Sequence, residues 1–155
     1  MAKFPTEVEK SVTVKAPLAR VYQFFWDVVA SADCIPGIDT CKRTADDTYR
    51  FVFQERSAGL VSLTVKYTCK YDGNGKDEIA FESLGAKQDN TDMSGRIKLK
   101  ATGPDSTKVT LWQRLAPDTP VPTLLQGFIR STVEKEAGEA VKDFLASAKR
   151  TMEKA

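Results

Sequence analysis

Residues 120–155 read PVPTLLQGFIRSTVEKEAGEAVKDFLASAKRTMEKA. Pro120 and Pro122 stand at the start of this run, where a proline's missing N–H costs a helix nothing, and no proline follows them. Val121, Leu125, Phe128, Thr132, Val133, Ala137, Val141, Phe144, Ala148 and Met152 recur at steps of three and four, one face of an amphipathic helix. Arg130, Glu134, Glu136, Glu139, Lys142, Asp143, Lys149 and Glu153 fill the other face. A helix of about 30 residues rising 1.5 Å per residue is about 45 Å long. Such a stripe needs a broad apolar partner, and the preceding chain reads as a curved sheet.

Immediately before it, Val109, Leu111, Gln113 and Leu115 alternate with Lys108, Thr110, Trp112 and Arg114. Ile97, Leu99 and Ala101 alternate with Lys98 and Lys100, and Ile79, Phe81 and Ser83 belong to another strand. Val61, Leu63, Val65, Tyr67, Cys69 and Tyr71 alternate with Ser62, Thr64, Lys66, Thr68 and Lys70, predicting one continuous strand with a wholly polar outer face. Tyr49, Phe51 and Phe53 form a further strand, with a shorter one over Thr40–Thr44. The turns are Pro36-Gly37, Ala45–Asp47, Asp72–Gly75 and Gly103–Ser106, and Gly85–Asp92 is a polar loop. Asp72–Gly75 does not carry the acidic ligand that ends a calcium loop.

At the other end, Val8, Val12 and Val14 share one parity of a strand over residues 7–15, with Lys10 the exception. Pro17 then opens a short aromatic helix whose stripe is Leu18, Val21, Tyr22, Phe25, Val28 and Val29. Strand, two helical pieces, six strands and a long helix (β-α-α-β6-α) make an α+β fold, an antiparallel sheet of about seven strands around the last helix. A length of 155 residues fits a single domain, 1–155.

Composition removes several chemistries. There is no histidine, so the commonest general base and imidazole zinc sites are absent. Cys34, Cys41 and Cys69 form no C-x-x-C pair, which fits a reducing compartment. The 23 basic and 21 acidic residues are interspersed, without the basic stripe of a nucleic-acid binder. The start has no apolar signal region and no run is apolar enough to span a membrane. A cytoplasmic location is the expectation, with no metal and no cofactor.

A long helix over a bent sheet touches it well near its ends and leaves a space between. The inner parity carries large rings, and a pocket there would be apolar with a few polar groups. Lys10, Ser83 and Gln113 are the polar residues on that parity. The expected lining is Phe25, Phe51, Phe53, Leu63, Val65, Tyr67, Phe81, Leu99, Leu111, Gln113 and Phe128.

The Val12–Pro17 segment leading into a helix with Val21-Tyr22 and Asp27, together with the terminal helix, resembles the START/Bet v 1-like (SRPBCC) helix-grip superfamily. Within it, Cys34-Ile-Pro-Gly37 followed by Thr44–Tyr49 is similar to the CoxG-type (carbon monoxide dehydrogenase-associated) and polyketide cyclase/dehydrase-like branches. Asp118–Leu124 departs from the glycine-rich approach to the last helix that the CoxG pattern has. The resemblance implies a cavity for a lipid, quinone, sterol or polyketide-like molecule between sheet and helix.

Three functions follow as expectations. The first is binding or transport of a hydrophobic small molecule without catalysis. The second is a cyclase, dehydratase or hydrolase using buried Tyr, Asp, Glu or Lys; the missing histidine and the missing G-x-S-x-G and S-x-x-K motifs weigh against it. The third is a CoxG-like docking module making peripheral membrane contact through Trp26 and Leu124–Leu125, with Trp112 a further candidate.

Overall fold

The computed structural model describes residues 2–58 and 61–154. In chain order it has β1 (Ala2–Lys3), β2 (Thr6–Val14), α1 (Leu18–Trp26), α2 (Val28–Ser31), a 3-10 turn over Ala32–Cys34, β3 (Ile38–Ala45) and β4 (Thr48–Phe53). There follow β5 (Arg56–Ala58), β6 (Val61–Leu63), β7 (Lys66–Gly73), β8 (Glu78–Ser83), β9 (Thr91–Gly103) and β10 (Ser106–Thr119). A 3-10 turn over Thr123–Leu125 leads into α3 (Gln126–Lys154).

The main sheet is antiparallel, in the order β1-β10-β9-β8-β7-β4-β3, with β2 also on β10. β1 and β2 lie end to end along one edge of β10, broken at Phe4-Pro5. The Phe4 N–H donates to the Pro117 carbonyl at 3.0 Å and carries the pairing across the break. This adds an eighth, two-residue strand to the seven expected and extends β10 past Leu115, where its alternation ends, through Pro117 to Thr119.

α3 runs for 29 residues, and Ile129, Val133, Ala137, Val141, Leu145, Ala148 and Met152 are its buried line. Its C-terminal half packs with α1, β2, β9 and β10, where Val141, Leu145, Ala148 and Met152 join Val14, Val21 and Phe25 in one core. Two hydrogen bonds tie that end down. The Lys15 N–H donates to Glu153 Oε2 at 2.8 Å, and Arg20 Nη2 donates to the Met152 carbonyl at 2.6 Å. Its N-terminal end rests on a second cluster, Phe4, Ile129 and Val133 with Leu63, Val121 and Leu125. Between the two anchors the helix presents Ala137 and Ala140, whose short side chains do not reach the sheet floor.

Several expectations change. Pro120 and Pro122 precede α3 rather than opening it, and Pro17 is the N-cap of α1 rather than its first residue. Phe128 is 56% exposed, because the buried line passes through Ile129, one residue and about 100° further round the helix. Val29 is exposed because α1 ends at Trp26 and a separate short helix begins at Val28. Lys10 is exposed: β2 is the edge strand, and a lysine there carries its ammonium into solvent.

The strand expected over residues 61–71 is two strands. The Asn90 side chain takes the backbone between them: Lys66 N–H donates to Asn90 Oδ1 at 3.0 Å and Asn90 Nδ2 to the Thr64 carbonyl at 2.5 Å. β6 therefore pairs away from the main sheet, with β5, as a separate hairpin. Thr68, on the polar parity, is buried, because the 84–90 loop folds over it and Asp89 Oδ2 accepts from Thr68 Oγ1 at 2.7 Å. Ala155 and the side chain of Val61 lie outside the described residues.

Candidate functional site

Beneath the middle of α3 lies a cavity of about 240 Å³. That is near the small end of ligand pockets, which run from about 300 to 1,000 Å³. Its floor is the inner face of β4, β7, β8, β9 and β10, its roof is α3, and α1, α2 and the Ile35–Gly37 turn close one side. The floor is aromatic. Phe51 stacks on Tyr67 with ring centroids 5.0 Å apart, Phe53 on Tyr67 at 5.8 Å, and Tyr71 on Phe81 at 5.2 Å. Strand alternation produces this slab, since residues two apart on one strand share a face.

The cavity opens to solvent between α3 and the end of β4. Gln54 and Arg56 on one side and Glu139 and Asp143 on the other line it and are exposed. Arg56 Nη1 and Glu136 Oε2 form a 3.1 Å ion pair across this mouth. Arg56 begins the β5–β6 hairpin, so the pair links that detached hairpin to the helix.

Inside, the polar groups are few. Tyr67 and Tyr71 both line the cavity, and Tyr67 is only 6% exposed. Among the described residues neither hydroxyl has a hydrogen-bonding partner, and both open onto the cavity space. Burial, reinforced by Cys69, holds both phenols well above the usual range, so they stay protonated donors. Gln113 presents its amide from β10. Ser31 also lines the space but donates to the Val28 carbonyl at 3.2 Å. Cys41, packed against the aromatic floor, has its thiol pushed up to about 11, by burial first and Asp33 second. Among the described residues no three His, Cys, Asp or Glu side chains gather as metal ligands, and no helix is long and apolar enough to cross a membrane.

Phe25, Phe51, Phe53, Leu63, Val65, Tyr67, Phe81, Leu111 and Gln113 come together around this one space. Leu99 and Phe128 do not. Leu99 is buried further along β9, in the solid core with Val21 and Val141, past the last cavity residue of that strand, Ile97. Phe128 points to solvent. Ser83 is occupied structurally, its Oγ accepting from the Met93 N–H at 3.0 Å. Sequence reasoning missed Met93, Ile97, Leu115 and Tyr71, although inner parity marks all four. It also missed Val28, which the stripe of the first helix marks, and Ile35, which lies in a turn where no periodicity exists to read.

Of the surface anchors expected, Trp26 is half-buried and stacks on Tyr22 at 6.2 Å, and Leu125 packs in the cluster around Phe4. Trp112 is half-buried on the outer face of the sheet. Leu124 is 96% exposed.

No protein-family model and no curated protein sequence matches the chain. Solved structures do. A START superfamily protein from Mycobacterium smegmatis superposes with a TM-score of 0.71 at 19% identity, covering 96% of this chain and 97% of that one. A protein from Deinococcus radiodurans gives 0.64 at 24% identity over 96% and 98%. The Zhui aromatase/cyclase from Streptomyces sp. R1128 gives 0.61 at 18% identity over 94% of each chain. These likenesses establish the fold: α+β, the START/Bet v 1-like helix grip.

Proposed function

We propose that this chain binds a small hydrophobic molecule in the cavity beneath α3, without transforming it. The observation that carries the reading is the unfilled space of about 240 Å³ with an aromatic floor and a mouth to solvent. Apolar burial at about 25 cal/mol per Å² would drive binding. Phe51, Phe53, Tyr67, Phe81 and Leu111 would supply most of the contact, and residues 1–155 would act as one binding domain. The aromatase/cyclase among the structural neighbours makes a ring-bearing, polyketide-like ligand a natural candidate beside lipids, quinones and sterols.

A fluorescence titration with the neutral dye N-phenyl-1-naphthylamine tests this. Saturable one-site binding with a blue-shifted emission is expected. Ala140→Phe, which places a ring in the cavity from its roof, is expected to abolish binding while the circular dichroism spectrum stays native. No saturable binding to the wild type, or undiminished binding to a folded Ala140→Phe protein, would contradict the reading.

A further inference from the structure

We infer that the bound molecule is uncharged at its buried end and carries an acceptor oxygen there, of the ketone or quinone type, held by the Tyr67 or the Tyr71 hydroxyl. This rests on the binding function proposed above and narrows its ligand class. Tyr67 and Tyr71 stand four residues apart on β7 and turn to the same face. Both line the cavity, and among the described residues neither hydroxyl has a partner. A phenol O–H taken out of water needs an acceptor. Both hydroxyls open onto the cavity, so an occupant that displaces the water there keeps the bond only if it brings the acceptor itself. A phenol kept protonated by burial donates over the whole physiological pH range.

Charge excludes the alternatives. Arg56 is the one cation among the described lining residues; it sits at the mouth and is already paired with Glu136. Glu136, Glu139 and Asp143 of α3 surround that same opening. A carboxylate, such as the head of a fatty acid, would find no free cation inside and, at the mouth, Glu139 and Asp143 beside the Arg56–Glu136 pair. A buried anion without a partner is strongly disfavoured. A neutral ring bearing a carbonyl avoids both problems, and the Gln113 amide from β10 offers the same cavity a further donor.

Three naphthalenes of nearly equal size test this: 2-methylnaphthalene, 2-acetylnaphthalene and 2-naphthoate. Wild-type protein is expected to bind the ketone about three- to tenfold more tightly than the hydrocarbon, the range one net hydrogen bond supplies, and the carboxylate most weakly. Tyr67→Phe with Tyr71→Phe is expected to bring the ketone's affinity down to that of the hydrocarbon measured in the same variant. The infrared carbonyl stretch of bound 2-acetylnaphthalene is expected at lower frequency in wild type than in at least one of the two single Phe variants, a readout that survives if the double variant fails to fold. Equal affinity of ketone and hydrocarbon in wild type, a preference that persists in the double variant, a band shift that persists in both single variants, or tightest binding of the carboxylate each overturns the inference while cavity binding stands. Failure of all three to bind removes the binding function itself.

Discussion

Arg56 Nη1 lies 3.1 Å from Glu136 Oε2, and this ion pair bridges the mouth of the cavity from the β5–β6 hairpin to α3. Both side chains are about half exposed, so the pair contributes about 0.2–1 kcal/mol at most. Its effect is therefore on exchange rather than stability. Glu136→Gln is expected to raise both the association and dissociation rates of a cavity probe several-fold in stopped-flow fluorescence, with the melting temperature nearly unchanged. Raising salt should speed exchange in the wild type and not in the variant. Identical rates in wild type and Glu136→Gln would show that the pair does not latch the mouth.

Gly95 of β9 lies against the floor. A Cβ there would stand 2.7 Å from the Trp112 carbonyl oxygen and overlap the Phe81 ring. Backbone cannot retreat cheaply, so Gly95→Ala is expected to cost about 1–3 kcal/mol in urea unfolding. It should also weaken probe binding, because Phe81 must turn into the cavity. Gly138, inside α3, has open space around it, and Gly138→Ala should instead stabilise by about 0.5–1 kcal/mol. Reversed signs would mean that the contacts around Gly95 are misassigned.

The two neighbouring positions at the start of α3 separate burial from exposure. Ile129→Ala removes a fully buried side chain and is expected to cost about 2–5 kcal/mol. Phe128→Ala is expected to stay within about 0.5 kcal/mol and to leave probe affinity unchanged. Chemical denaturation of both variants decides it, and a large loss in Phe128→Ala would place that ring inside after all.

Cys41, Cys69, Tyr67 and Tyr71 all have values raised by burial, Cys41 to about 11. Their neutral forms are favoured in the fold, so their contribution is complete below the unfolded thiol value of about 8.5. It is lost as pH rises toward the folded values, because the unfolded chain then sheds protons that the folded chain keeps. The urea midpoint is expected to hold between pH 7 and 8 and to fall from about pH 9 upward, less steeply in Cys41→Ala. Cys41 should also react with iodoacetamide at least about tenfold more slowly than a free thiol at pH 8. A midpoint that rises between pH 9 and 11 contradicts the burial of these groups.

Alternation alone makes most of the floor legible. Phe51, Phe53, Tyr67, Phe81, Leu111 and Gln113 stand on the parity that faces α3, and a sheet with one solvated face leaves little choice. Leu99 shares that parity yet lies in solid core, because alternation gives the face and not the distance along the strand at which α3 lifts away. That distance is set by where Ala137 and Ala140 fall between the two anchored ends of the helix. Periodicity misplaces Phe128 through a wrong starting phase: the helix begins at Gln126, after the prolines. The β5–β6 hairpin and the burial of Thr68 depend on Asn90 and Asp89, loop side chains that no periodic pattern announces.

Methyl-resolved NMR, recorded while N-phenyl-1-naphthylamine is titrated in, tests the central claim most directly. Met93, Leu111, Leu115 and Ala137 line the cavity, whereas Leu99, Ala148 and Met152 lie in the solid core beside it. The expected result is saturable shifts in the first four methyl sets and none in the last three. Shifts on neither group, or shifts gathered at Leu124 and Leu84 on the surface, would contradict a binding site beneath α3.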